Sequence, residues 1–214
     1  MLAPCLQSGR REAGCDEAGR GPLAGPVVAA AVLLPKGYTN EALNDSKKLT
    51  ERQRTALRPV IEADADAWAV AFVSAEEIDR LNILHASTHA MCLAAKALLG
   101  EQAEGVVCGG RKLGKAKPEF LLVDGNRFYN ETGLQYQCVV GGDAKYMAIA
   151  AASILAKTYR DEAMLRLHEE YPVYGWDSNK GYPTARHYDA IEQHGISPYH
   201  RHSFTLYRQH TLFE

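Results

Sequence analysis

The feature that most constrains the fold of this sequence is an uninterrupted apolar run over residues 26–34. The run is rich in valine and alanine and lacks the alternation of polar residues that marks a strand with one wet face. It therefore predicts a strand that is covered on both sides. A sheet flanked by helices is the architecture that provides such cover, so we expect an α/β domain.

Two adjacent carboxylates, Asp16 and Glu17, lie just before this run, where residues 12–16 predict a first strand. Acids at the end of a buried strand are costly unless they bind a cation or take part in chemistry. The turn that follows, Gly19-Arg20-Gly21-Pro22, can bring backbone N–H groups and a guanidinium close to a phosphate. A turn with two solvated acids is the alternative interpretation of these residues.

The rest of the chain alternates strands with helices. Strands are predicted over residues 67–73, 120–123 and 134–140, and helices from Thr50, from Ser74, over 85–99, over 144–170 and from Thr184. Pro59 predicts a kink or a restart in the first helix. A basic, glycine-containing segment at residues 109–117 is expected to be a mobile, solvated insertion.

The composition excludes several classes of protein. The formal net charge of −2 argues against a protein that is basic overall, so any polyanion must be bound through local patches. The five cysteines are scattered and include no C-x-x-C pair, which favours neither a zinc site nor a disulfide framework and is typical of a reducing cytoplasm. We find no signal peptide and no apolar run long enough to cross a membrane.

Four carboxylates share one signature, in that each lies close to a glycine and near the end of a predicted strand: Asp16, Glu17, Asp124 and Asp143. The ends of strands in one sheet can converge, and four hard oxygen donors suit Mg²⁺ or Mn²⁺. Two such ions would activate water and stabilise the leaving oxygen of a phosphodiester. Taken singly, each aspartate is more often a turn residue than a metal ligand.

Six segments in this order resemble a type 2 ribonuclease H, specifically bacterial ribonuclease HII: DEAGRGPLAG, NDSKKL, LLVDGN, GDAKYMAIAAASILAKTYRD, GYPT and HRHSF. The resemblance spans about residues 12–205. It implies a ribonuclease H-like fold with a mixed central sheet, a catalytic domain over residues 1–170, and a small C-terminal helical and tail region over 171–214 packed on it as one structural unit.

The resemblance also implies an activity. The family cleaves the RNA strand of RNA–DNA hybrids and nicks duplex DNA on the 5′ side of single embedded ribonucleotides, leaving 3′-hydroxyl and 5′-phosphate ends with two Mg²⁺ or Mn²⁺ ions. By motif, Asp16, Glu17, Asp124 and Asp143 fall on its catalytic, metal-binding carboxylates. Gly19, Arg20 and Gly21 fall on the loop that reads the 2′-hydroxyl through main-chain contacts, and Tyr182 falls on a tyrosine that stacks on the neighbouring sugar.

Several further assignments have open alternatives. Lys47 and Lys48 are expected to contact backbone phosphates, or else form a solvated loop pair. For His200, Arg201 and His202, phosphate contact and a surface role are both open. Gly141 stands where the family usually has a lysine, which puts one substrate contact in doubt.

The C-terminal residues Gln209–Phe213 resemble a short peptide that docks on a bacterial sliding clamp; a frayed tail is the alternative. We expect a monomer. Two rival functions remain: a hybrid-binding protein without catalysis, against which the four carboxylates argue, and a nucleotide-binding protein, against which the lack of a P-loop motif argues.

Overall fold

The computed structural model describes residues 2–207, so the clamp-like segment Gln209–Phe213 lies outside the described residues. The strands are β1 Glu12–Ala18, β2 Val27–Leu33, β3 Ala67–Val73, β4 Val106–Gly109, β5 Phe120–Asp124 and β6 Gln135–Val139. The α-helices are α1 Glu51–Asp64, α2 Ala75–Leu81, α3 Ile83–Leu99, α4 Met147–Glu170, α5 Trp176–Asn179 and α6 Ala185–His194, and short 3₁₀ helices cover Gly142–Ala144 and Pro172–Tyr174.

The six strands form one mixed sheet in the order β4-β3-β2-β1-β5-β6. Strands β4, β3, β2 and β1 pair antiparallel to their neighbours, whereas β1, β5 and β6 run parallel. All seven residues of β2 are buried, because helices cover both faces of the sheet there. The mixed, helix-flanked sheet predicted from the sequence is confirmed.

Alternate side chains of β2 enter two different cores, as the period of a strand requires. Ala29, Ala31 and Leu33 pack towards α3. Val28, Ala30 and Val32 pack in the second core towards α1 and α4. This division places the elements that carry the sequence motifs, β1 and α4, against each other on one face of the sheet.

The contact between β1 and α4 is unusually close at Gly14. A Cβ atom at this position would lie 2.2 Å from the backbone carbonyl carbon of Ala148. Because side chains two residues apart on a strand share a face, Asp16 also points towards α4. The small residues at the start of α4, Ala148–Ala152 with the exception of Ile149, allow the helix backbone to approach the strand.

Residues 171–207 share a core with the rest of the described chain. A third core contains Trp176 and Ile191 from this region together with Leu23 from the glycine-rich loop and Met164 from α4. The glycine-rich loop is therefore held between the sheet and the C-terminal region. No helix among residues 2–207 is long and apolar enough to span a membrane.

The structure corrects two local expectations in part. Helix α1 continues through Pro59, so the restart considered there does not occur. Pro59 and Thr55 are both exposed, so water can bond the Thr55 carbonyl that lacks its helical partner. The second concerns residues 109–117, which are not a freely solvated insertion: the N–H groups of Arg111 and Lys112 donate to the carbonyls of Ala65 and Asp66.

The sequence also failed to indicate β4, whose last residue, Gly109, is the first residue of this segment. The strand has only four residues, and its side chains are half-buried or exposed. Its three apolar residues, Val106, Val107 and Cys108, form a run too short to indicate a strand, and it pairs at the edge of the sheet, where one partner strand, β3, supplies its hydrogen bonds.

We predict that Gly14→Ala destabilises the protein by more than about 3 kcal/mol, because the added methyl group must push the α4 backbone away from β1. Urea denaturation measures the change in the free energy of unfolding. Gly9→Ala is the matched control, since a Cβ atom at Gly9 meets nothing within 4 Å. Equal stability of the two variants would contradict the close packing.

Candidate active site

The parallel arrangement of β1, β5 and β6 brings the four candidate carboxylates to the same end of the sheet, where the carboxyl ends of these strands lie. Cys15 pairs with Val123, so the next residues, Asp16 and Asp124, lie side by side at the carboxyl ends of their strands. Asp124 pairs in turn with Val139, the last residue of β6. Asp143 follows four residues later, in the 3₁₀ helix Gly142–Ala144.

Local hydrogen bonds fix these side chains. The Asp16 carboxylate accepts the N–H of Glu17 at 2.7 Å, and the Asp124 carboxylate accepts the N–H of Gly142 at 2.7 Å. The second bond ties the end of β5 to the turn that carries Asp143. Asp16 and Asp143 are only 5% and 3% exposed, so the edge of the sheet holds negative charge that water solvates poorly.

This crowding of charge raises the affinity of the carboxylates for protons. Burial, together with the charges of Glu17 and Asp124, raises the pKa of Asp16 well above its usual range. Burial also raises the pKa of Glu17, although the Arg20 guanidinium opposes the shift. For Asp143, burial and the nearby carboxylates of Asp45 and Asp124 raise the pKa.

Three of the four carboxylates, Asp16, Glu17 and Asp124, open onto a cleft of about 300 Å³ with several cationic side chains in its wall, whereas Asp143 does not line it. The lining residues that carry charge are Asp16, Glu17, Asp124, Arg20, Lys47, Arg54 and Lys157. The cationic residues form the local positive surface that the weakly negative chain needs in order to approach a polyanion.

The turn Gly19-Arg20-Gly21-Pro22, called the glycine turn from here on, and Tyr182 lie in the same cleft as Asp16, Glu17 and Asp124. Gly19, Arg20 and Gly21 all line it, and Tyr182 is 42% exposed there. A Cβ atom on Gly21 would lie 3.6 Å from the Tyr182 ring, so the two are neighbours. Gly19 has a φ of +95° and its Cβ position is 2.8 Å from Arg160 Nε, which explains the need for glycine.

The two lysines of the NDSKKL motif are placed differently. Lys47 lines the cleft, and its Nζ lies 3.8 Å from Asp143 Oδ2. Lys48 is exposed and does not line this cleft. Gly141 adopts a left-handed conformation with a φ of +63° at the start of the 3₁₀ helix, a conformation that disfavours the lysine usual at this position.

Sequence reasoning misjudged several residues around the site. Ser153 and Lys157 of α4, which the sequence analysis does not assign to the site, both line the cleft, and Ser153 Oγ lies 2.8 Å from Ser46 Oγ. His200 and Arg201, for which phosphate contact or a surface role was considered, are 1% and 0% exposed. The sequence gives no signal for this burial, because it depends on packing between the two ends of the chain.

The chemistry of the donor set fits a hard divalent cation. Asp143 Oδ2 is buried without a hydrogen-bond partner, and burial together with neighbouring carboxylates raises the pKa of Asp16 and of Asp143, so a cation would offset both costs. Within residues 2–207, no three acidic, histidine or cysteine side chains are already gathered closely enough to hold an ion. The residues offer the right ligands, and binding would have to draw them together.

The sheet topology, with acidic residues at the ends of β1 and β5 and just beyond β6, defines a nuclease with a ribonuclease H-like fold. The family model for ribonuclease HII matches residues 13–207. The chain belongs to the ribonuclease HII family, and it is a hydrolase that cleaves RNA in RNA–DNA hybrids.

Several relatives agree along almost the whole chain. A ribonuclease HII from Bacteroides thetaiotaomicron is 56% identical over 206 residues, covering 96% of this chain and 95% of the relative. A ribonuclease HII from Porphyromonas gingivalis is 50% identical over 204 residues, covering 95% and 94%.

Solved structures show the same fold. The RNase HII in a PCNA:RNase HII complex from Archaeoglobus fulgidus has a TM-score of 0.70 and 27% identity, covering 94% of this chain and 98% of that one. The ribonuclease H2 from Pyrococcus horikoshii has a TM-score of 0.69 and 26% identity, covering 92% and 94%.

We predict that Asp143→Asn stabilises the protein at pH 7 in EDTA, and that it does so less at pH 4. A carboxyl whose pKa is higher in the folded than in the unfolded state destabilises the fold as the pH rises above about 4, the pKa of a free aspartate. Removing the charge removes that loss of stability. Urea denaturation at pH 4 and pH 7 measures the free energy of unfolding of the variant and of the wild-type protein.

Glu162→Gln provides the control of opposite sign. Hydrogen bonding to Arg58 lowers the pKa of Glu162, so its charge stabilises the fold at pH 7 and its removal should destabilise. If Asp143→Asn also destabilises the protein, the charge of Asp143 does not destabilise the fold, and our account of the carboxylate cluster is wrong.

Proposed function

We propose that this protein nicks duplex DNA on the 5′ side of single embedded ribonucleotides, in addition to cleaving RNA–DNA hybrids. The observation that supports this most directly is that one cleft contains three of the carboxylates, Asp16, Glu17 and Asp124, together with the glycine turn and Tyr182. The first group suits phosphodiester hydrolysis, and the other two suit the recognition of one sugar.

We assign the metal-binding role to Asp16, Glu17, Asp124 and Asp143, with two Mg²⁺ or Mn²⁺ ions bound during catalysis. When bound, such ions supply an activated water and stabilise the charge of the leaving 3′ oxygen. The protein's own contribution is to hold the carboxylates at the ends of β1 and β5 and next to β6, on strands that fix their spacing. Hydrolysis in this sense leaves a 3′-hydroxyl and a 5′-phosphate.

Recognition of the substrate falls to the other residues of the cleft. The 2′-hydroxyl is the group that distinguishes RNA from DNA, and Gly19, Arg20 and Gly21 line the cleft beside the carboxylates, where their backbone N–H groups can bond it. The Tyr182 ring beside Gly21 stacks on the neighbouring sugar. Lys47, and more weakly Lys48, contact backbone phosphates, which adds affinity without sequence preference.

We further propose that the protein acts as a monomer in the cytoplasm. Its five cysteines are free thiols, as in a reducing compartment. We also propose that Gln209–Phe213 docks on a sliding clamp. The similar Archaeoglobus fulgidus protein is described in a complex with PCNA, which supports a partner of that kind.

The decisive experiment uses a labelled DNA duplex with one ribonucleotide, incubated with the protein and Mg²⁺. We expect one nick directly 5′ of the ribonucleotide, and none in EDTA. Asp124→Asn should lower the rate by at least about 10³-fold, since it removes charge needed for the cation while Oδ1 still accepts the Gly142 N–H.

The control for this variant is Asp177→Asn, an aspartate on α5 whose side chain is 49% exposed and pairs with His168. It should cleave at the wild-type rate. Normal turnover by Asp124→Asn would refute the metal-ligand assignment. If the wild-type protein binds the duplex but does not cut it, the hybrid-binding alternative is favoured.

We further predict that Tyr182→Ala lowers cleavage at a single ribonucleotide by about tenfold, because a stacked ring contributes on the order of 1–3 kcal/mol. Tyr182→Phe keeps the ring and should retain most of the activity. Steady-state rates on the same duplex measure both. Full activity of the alanine variant would remove Tyr182 from the recognition of the sugar.

A further inference from the structure

The inner side of the glycine turn is held by a buried arginine from the far end of the chain. The Arg201 side chain is 0% exposed, and its guanidinium makes four hydrogen bonds to three backbone carbonyls. It donates to Gly19 O at 2.7 Å, to Arg20 O at 3.1 Å, and to Gly25 O at 3.0 and 2.9 Å. Phe204 covers the guanidinium at 5.1 Å from its ring centre.

These bonds determine which way two peptide groups face. In a trans peptide the C=O and the following N–H point in opposite directions. Because the carbonyls of Gly19 and Arg20 point inward to Arg201, the N–H groups of Arg20 and Gly21 point outward, towards the cleft that these residues line. Within residues 2–207 neither N–H has a backbone partner, so both are free to donate.

The segment that carries Arg201 also connects the turn to Tyr182. The Arg201 N–H donates to Leu23 O, and the Gly25 N–H donates to Tyr199 O. On its other side, the loop donates from Leu23 N to the carbonyl of Gly181, the residue before Tyr182.

A buried pair of histidines makes a second connection to Tyr182. His200 Nδ1 accepts the N–H of Ser197 at 2.9 Å, so the proton of the neutral ring is on Nε2 and is donated to His187 Nε2 at 3.2 Å. His187 Nδ1 then donates to the carbonyl of Tyr182 at 3.0 Å. Burial lowers the pKa of His200 to about 4, which keeps this arrangement neutral.

We propose that Arg201 is a positioning residue for ribonucleotide selection: it orients the peptide groups of the Gly19–Gly21 turn so that their N–H groups face the 2′-hydroxyl. This inference rests on the proposed role of the turn in recognising that hydroxyl. Arg201 does not touch the substrate, because it is sealed behind the turn. Its planar fork suits several carbonyls at once, which a lysine ammonium cannot match.

The test compares Arg201→Lys with the wild-type protein in EDTA, where no cleavage occurs. Kd is measured at fixed salt for two duplexes that differ only by one 2′-hydroxyl, one all-DNA and one with a single ribonucleotide. We expect the preference for the ribonucleotide duplex to fall about fivefold in the variant, the worth of a typical hydrogen bond. Affinity for the all-DNA duplex should not change.

The ratio of the two Kd values is insensitive to a merely structural role, because misfolded molecules lower the active fraction equally for both duplexes. Arg58→Lys is the matched control: its arginine also packs on a ring and binds two carboxylates, but it lies on α1 away from the turn. It should keep the wild-type ratio.

If Arg201→Lys is too unstable to measure, Asp79→Asn replaces it. Asp79 accepts hydrogen bonds from His202 N, Ser203 N and Ser203 Oγ, and so anchors the segment that carries Arg201 while leaving the arginine in place. A lowered ratio again supports the proposal. If the measured variant has the same ratio of Kd values as the wild-type protein, the proposal for Arg201 is overturned. If the wild-type protein itself shows no preference for the ribonucleotide duplex, the proposed recognition of the 2′-hydroxyl by the turn is refuted instead.

Discussion

The close approach of helix α4 to strand β1 is the constraint on which the rest of the site depends. Gly14 leaves no room for a side chain against the Ala148 backbone. This contact sets α4 over the same face of β1 that carries Asp16, and it brings Ser153 of α4 into the cleft. The glycine is thus required by packing, although it lies only two residues from the carboxylate that we assign to catalysis.

The fold holds the carboxylates at this end of the sheet close together, although their negative charges repel one another. Burial and mutual proximity raise the pKa of Asp16, Glu17 and Asp143, so the fold without a cation holds these acids at a cost. Parallel pairing of β1, β5 and β6 places these acids at the same end of the sheet, because the carboxyl ends of parallel strands lie together there. The free energy stored in this way is available to a bound cation, which links the topology of the sheet to metal affinity.

The C-terminal region supports the site from behind. Its residues cover Leu23 in a shared core, Arg201 binds the carbonyls of the glycine turn, and the His200–His187 pair reaches Tyr182. The substrate-facing atoms of the turn and of Tyr182 therefore have a common support, although their motifs lie about 160 residues apart in the chain.

The sequence by itself determined the fold class and most strand positions, and it singled out the four carboxylates for which we propose the metal-binding role, because apolar periodicity, glycine turns and motif spacing are local properties. It did not reveal β4, the helical continuity through Pro59, or the burial of His200 and Arg201. An edge strand, an exposed proline and a buried arginine are each decided by neighbours distant in sequence. Only the tertiary structure brought a cationic, aromatic-rich C-terminal segment behind the turn, where three backbone carbonyls replace the water that Arg201 would otherwise require.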